Sequence, residues 1–204
     1  VTDQQAPQEA RRLRSDTRRN RRRLLEAVGE IAREAPDQLT MKDVANRAEI
    51  GPATAYRYYS TLDDVVAAYV LGVVDELRDF SVSSGAEGRP LFDGVVDRWL
   101  DLLAEHGPVM VQLRSRRGFL ERLHDGNETI LAVREAWSRP VQGLLADLGL
   151  PAQVLEHALF LHNMMYDPRE IHDLLQETGM SRREVTARLT EAYLGALRGW
   201  ARAG

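Results

Sequence analysis

Apolar and polar positions alternate with a helical period along nearly the whole chain. From Thr17 onward, Leu24, Leu25, Val28, Ile31 and Ala32 fall on one helical face. Ala35-Pro36-Asp37 ends that helix, because a residue before proline is pushed out of the α region. Thr40 then reads as an N-cap with Asp43 three residues on, and Val44, Ala45 and Ala48 form the inner face of a short second helix. Glu49-Ile50 is the turn, with Ile50 as its apolar plug. Gly51 caps a third helix over 52–59, with Pro52 at the first position, where its missing N–H costs nothing. Ser60 or Thr61, each with an aspartate three residues later (Asp63 or Asp64), starts a long fourth helix. Its wide stripe is Val66, Tyr69, Val70, Val73, Val74, Leu77 and Phe80.

Residues 81–90 read as a loop. Further helices are expected over about 91–106, 108–123, 128–148, 152–166 and 182–201, the last opened by the Ser181/Glu184 capping box. Gly107-Pro108, residues 124–127 and Gly149-Leu150-Pro151 separate them. Asp167-Pro168 breaks the pattern before a short helix at 169–178. No segment alternates as a strand does, and no repeat is visible. The expected fold class is all-α, with an N-terminal three-helix head containing a helix-turn-helix and a larger C-terminal helical body. Residues 1–16 read as a disordered basic arm, 17–61 as the head and 62–204 as the body.

Charge sharpens this picture. The 204 residues carry 27 basic and 31 acidic side chains, which overall argues against a polyanionic partner. The distribution reverses that argument. Residues 1–60 hold 12 basic against 9 acidic residues, whereas 61–204 hold 15 against 22. Eight arginines lie within residues 11–23 beside one acid, Asp16. A basic segment on an acidic body concentrates phosphate attraction at one end. Lys42 is the single lysine, so arginine carries the basic function.

Other chemistry is sparse. Cysteine is absent, which excludes disulfides, a thiol nucleophile and thiolate metal ligands, and fits a cytoplasmic location. No secretory leader is expected, and no apolar run reaches the roughly 20 residues that a membrane span needs. His106, His124, His157, His162 and His172 are scattered. His157 and His162 are five residues apart, which is the wrong spacing for one helical face. Asp167 and Glu170 near His162 or His172 do not make a metal site of known spacing. There is no Gly-x-Ser-x-Gly elbow, phosphate loop or dinucleotide fingerprint. The expectation is a protein that is not an enzyme, with no catalytic residue, metal or cofactor.

A short helix that fits a DNA groove beside a cationic arm is instead a DNA-reading design. Thr40 and Tyr56 are candidate phosphate donors, Lys42 a phosphate ligand, and Arg57 a ligand of guanine or of phosphate. Gly51, Pro52, Ala53 and Thr54 head the recognition helix, where small side chains permit close approach to thymine methyls. Tyr58 divides between packing and backbone contact, and Tyr59 reads as core. Arg18 and Arg22 either track a minor groove or raise non-specific affinity.

The stretch LTMKDVANRAEIGPATAYRYYSTLDDVV, residues 39–66, resembles the tetracycline-repressor (TetR) family of transcription regulators. Thr40, Val44, Ala45, Ala48, Ile50, Thr54, Tyr56, Tyr58, Tyr59 and Asp63 fall in the family pattern. Glu49 stands where glycine is usual, Leu62 where a phosphate-binding lysine is usual, and Gly51 where a serine cap is usual. The resemblance implies a homodimeric repressor on a palindromic double-stranded DNA operator, released by a small-molecule effector. It implies a dimer surface on the last two long helices. Candidates there are Val154, Ala158, Leu161 and Met165, with Val185, Leu189, Ala192, Ala196 and Trp200. It also implies an effector pocket among the middle helices. Apolar candidates are Trp99, Leu103, Met110 and Leu113, then Phe119, Trp137, Phe160 and Met164, and Arg114, Arg116 and Arg117 are candidates for an anionic effector. The competing reading is a helical ligand-binding or adaptor protein with a degenerate DNA-binding head, suggested by Glu49 and Leu62.

Overall fold

A computed structural model of the chain describes residues 5–35, 38–111 and 117–202. They form α1 (Gln5–Glu34), α2 (Met41–Arg47), α3 (Pro52–Tyr58), α4 (Leu62–Ser83) and α5 (Gly88–Met110). Then follow α6 (Phe119–His124), α7 (Glu128–Asp147), α8 (Leu155–Met165), α9 (Pro168–Glu177) and α10 (Arg182–Arg202), with a 3-10 turn at Ala152–Val154. No strand occurs among the described residues, as the helical periodicity requires. Residues 5–16, expected as a disordered arm, continue α1; their alanine, glutamine and arginine content favours helix. The chain divides into two compact units between Tyr69 and Val70, within α4 rather than at its start.

In the first unit, α1 buries Leu24, Ala27, Val28, Ile31 and Ala32, and α2 buries Met41, Val44 and Ala45. Ala48 and Ile50 close the turn, and Ala55 is the buried side chain of α3. Thr40 caps α2, accepting a hydrogen bond at Oγ1 from Asp43 N at 3.2 Å while its hydroxyl donates to the Asp43 carboxylate. Of the two possible caps of α4, Thr61 serves. Its N–H donates to Asp64 Oδ2 at 2.9 Å, and Asp64 N donates back to Thr61 Oγ1 at 3.1 Å.

In the second unit, α5 packs on α7, α9 and α10, and α7 packs on α8. Phe92, Trp137 and Tyr193 are fully buried, with Phe92 stacked on Tyr193 at 5.5 Å and 11°. The Tyr193 hydroxyl donates to Ala158 O at 2.7 Å, which satisfies the one polar atom of that buried side chain. At one crossing of α5 and α7, a Cβ on Gly143 would lie 2.9 Å from Gly88 Cα, which closes position 143 to larger residues, while Gly88 has φ +55° and the Asp147 carboxylate against it.

Three boundaries differ from expectation. The loop at 81–90 contracts to residues between Ser83 and Gly88, because Arg139 of α7 caps the end of α4. Its guanidinium donates to the carbonyls of Ser81 and Ser84 at 2.9 Å each and of Ala86 at 3.0 Å. Gly107-Pro108 does not interrupt α5, which runs to Met110 with Val111 N bonded to Gly107 O at 3.0 Å. The single helix expected over 108–123 is absent. Gly118 is extended (φ −69°, ψ 165°) and opens the short α6.

Candidate nucleic-acid interface and candidate ligand cavity

The first unit holds a helix-turn-helix whose turn is set by one residue. Glu49 has φ +53°, the one non-glycine residue with positive φ among the described residues. Ile50 N then reaches Ala45 O at 2.9 Å, closing the C-terminus of α2 in the manner of a Schellman motif. Glycine is the unstrained residue there. Here the glutamate side chain accepts a 2.6 Å bond from Arg23 of α1, which ties the turn to that helix.

α3 follows immediately. Gly51 (φ −59°, ψ 139°) makes no side-chain cap, and its carbonyl accepts from Thr54 N and Ala55 N at 2.8 and 3.0 Å. Pro52, Ala53, Tyr56 and Arg57 are exposed, and Thr54 and Tyr58 are half-buried. Tyr56 is 53% exposed, unusual for a large aromatic in a folded head. Tyr58 is held from α1, since Asn20 Nδ2 donates to its hydroxyl at 3.3 Å and thereby lowers its pKa. Tyr59 is half-buried under the Arg21 guanidinium at 5.8 Å, and burial raises its pKa.

Thr40 and Lys42 are exposed at the start of α2. Arg18 and Arg22 are exposed one turn apart on α1, Arg22 bridging Glu26 at 3.3 Å. Arg47 is already engaged by Glu34 at 2.7 Å and Glu30 at 3.2 Å, which raise its pKa. The Arg23–Glu49 and Arg47–Glu30/Glu34 ties span 13 to 26 residues of sequence and carry no local signal that would have revealed them.

The second unit contains a cavity of about 530 Å³. Of the expected pocket residues, Trp99, Met110, Phe119 and Trp137 line it. Leu103 is buried elsewhere in the core, Phe160 is half-buried away from the cavity, and Met164 is 56% exposed. Leu113, with Arg114 and Arg116, lies outside the described residues. Sequence reasoning missed the α4 wall of Val70, Val74 and Leu77, and the contributions of His162 on α8 and of Tyr166 just after it.

His162 is the chemical centre of the wall. Its ring lies 3.8 Å from Trp137 and stacks on Tyr166 at 4.6 Å and 9°. Nε2 is buried with no hydrogen-bond partner among the described residues. Burial pushes its pKa down to about 3, so the ring is neutral. Trp99 Nε1 donates to Tyr166 O at 3.2 Å, which fixes the neighbouring ring. Polar groups also line the cavity: Arg117, Arg122, Asn127, Asn163, Asp167 and Arg169.

The expected dimer residues divide. Ala158 and Val185 are fully buried within this chain, as core. Val154, Leu161, Met165, Leu189 and Ala196 are half-buried, and Ala192 is exposed. Trp200 is 46% exposed against His157 at 5.6 Å and, with Val154 and Leu161, lines a shallow depression between α8 and α10.

A capped helix-turn-helix unit followed by a helical unit around a cavity is the fold of TetR-type transcriptional regulators, and the solved structures bear this out. The chain is similar to a TetR-family transcriptional regulator from Streptomyces coelicolor, at 19% identity over 87% of this chain and 81% of that one, with a TM-score of 0.57. It is similar to the fatty acid degradation regulator FadR from Bacillus halodurans, at 17% identity over 88% and 96% of the two chains, with a TM-score of 0.59. No protein-family model matches the sequence, and no curated protein is significantly similar to it. Among the described residues, no helix is long and apolar enough to cross a membrane, and no group of three or more His, Asp or Glu could hold a metal ion.

Proposed function

We propose that this chain is a sequence-specific DNA-binding transcription regulator of the cytoplasm. In this reading it is a homodimer that represses by occupying a palindromic operator and is released when a small molecule enters the cavity. The observation that carries the reading is α3. It buries only Ala55 and turns Pro52, Ala53, Tyr56 and Arg57 to solvent, with Pro52 at its first position. A helix with so little core duty, preceded by the exposed Thr40 and Lys42, suits major-groove recognition. One such helix reads too few bases for genomic specificity, and a dimer places two about one helical turn apart, roughly 34–36 Å. The surface of α8 and α10 that carries the exposed Trp200 and Ala192 and the half-buried Leu161 is the one we assign to the second copy.

Release requires a ligand that favours one of two states, not mere occupancy. α4 supports such coupling, because one unbroken helix runs from Leu62, just after α3, to the cavity residues Val70, Val74 and Leu77. Selection from random duplexes at two salt concentrations tests the reading. An enriched inverted repeat is expected. Salt-sensitive binding with no enriched sequence would leave only a basic arm and return the adaptor reading. A monomeric mass at micromolar concentration would overturn the dimer.

A further inference from the structure

The cavity lining is chemically lopsided. Three arginines, Arg117, Arg122 and Arg169, face one acid, Asp167. Two of the arginines already have counter-ions. Arg169 forms a paired contact with Asp167, Nε to Oδ1 at 2.9 Å and Nη2 to Oδ2 at 3.0 Å. Arg117 bridges Glu121 at 2.8 Å and also Asp125. Arg122 differs. It is half-buried, and among the described residues its guanidinium donates to Asn127 Oδ1, from Nη2 at 3.3 Å. That oxygen also accepts Ile130 N as the cap of α7, and a neutral amide does not balance a cation. Among the described residues no carboxylate reaches Arg122. Burial and the neighbouring Arg117 charge both act against its charged form, which is the situation an incoming anion relieves.

The apolar wall has a shape of its own. Trp137, His162 and Tyr166 are interleaved rings, and Trp99 is locked by its bond to Tyr166 O. Such a wall is aromatic and pre-organised, with Trp137 tilted by 35–40° to the stacked His162 and Tyr166 rings, and it matches a ring system better than a flexible alkyl chain. The unpartnered imidazole nitrogen offers a neutral hydrogen-bonding group within that wall. The volume lies in the range of roughly 300–1,000 Å³ that encloses small-molecule ligands.

Resting on the reading of this cavity as the effector site, we propose that its ligand is an aromatic carboxylate, with its ring system against Trp137 and Trp99 and its carboxylate on the Arg122 guanidinium. Bidentate pairing of guanidinium and carboxylate supplies both affinity and orientation.

Calorimetry on the full chain tests this with 2-naphthoate, its neutral isostere 2-naphthamide, and the aliphatic anion decanoate. The naphthoate is expected to bind about tenfold or more tighter than naphthamide, as loss of one charge-assisted contact implies, and tighter than decanoate, which keeps that contact but lacks the ring system. Arg122→Gln should bring naphthoate down to the level of naphthamide. Arg122→Lys should restore part of the difference. Equal binding of naphthoate and naphthamide, tighter binding of decanoate, or an Arg122→Gln variant with unaltered preference overturns the proposal. Failure of the regulator reading is seen separately. Anion-selective binding with no DNA recognition keeps the ligand class and removes the regulator, whereas operator binding with no anion preference does the opposite.

Discussion

α3 and α7 place opposite demands on their side chains. Of its seven residues, α3 buries one, Ala55, and holds its position by a proline start, a glycine cap and a hydrogen bond from Asn20 to Tyr58. Of its 20 residues, α7 buries eight, including Trp137 at 1% exposure, and it forms a wall of the cavity. The first unit therefore spends its chemistry outward, on a helix free to meet a partner. The second spends it inward, on packing that leaves a shaped space. A substitution in α7 should register as stability, and one in α3 as binding.

The largest expected effect breaks the inward side. Trp137→Ala should cost about 3–5 kcal/mol of unfolding free energy, as for other fully buried aromatic truncations, and chemical denaturation would measure it. A cost below about 1 kcal/mol would mean that the α7 wall is not a packed core. Next comes pH. The folded His162 pKa of about 3 lies below its ordinary 6.5, so protonation favours the unfolded chain. Its contribution is intact above pH 6.5 and is lost progressively down to about pH 3. By pH 5 the loss is on the order of 2 kcal/mol. His162→Phe should flatten that part of the stability profile, and an unchanged slope would assign the acid sensitivity elsewhere.

The outward side is tested by Arg57→Ala. Operator affinity should fall by at least ~1 kcal/mol in a gel-shift titration, with little change in thermal midpoint. Equal loss of stability and binding would erase the distinction between the two helices. The smallest effect is at the turn. Glu49→Gly relieves left-handed backbone, worth roughly 1 kcal/mol, against a more flexible unfolded chain and one exposed ion pair. The net should be stabilising by about 0.5 kcal/mol in urea midpoints; destabilisation would show that the Arg23 tie outweighs the strain.

The same division decided what could be read from the residues. Thr40, Ile50, Gly51-Pro52 and Thr61 act through neighbours three to five residues away, so their order reveals the helix-turn-helix. Trp99, Met110, Phe119 and Trp137 were recognisable as inward-facing, but their shared cavity was not. Its other walls, Val74 of α4 and His162 of α8, are distant in sequence and meet only after packing. His162 read as a stray histidine because nothing near it in sequence marks the rings on either side. Phe160 and Met164 have the right chemistry on the wrong faces of α8. The Arg139 cap on α4 is another long-range contact, and it turned an apparent loop into helix.

The contact of Gly88 with Gly143 limits how the cavity can change size. The Gly88 backbone lies directly against Gly143 there, which leaves no room to close further. α5 and α7, which also carry Trp99 and Trp137 in the cavity wall, cannot approach each other further at that point. The narrowing of the cavity between Trp99 and Trp137 is thus limited by a contact that no change of side-chain rotamer relieves.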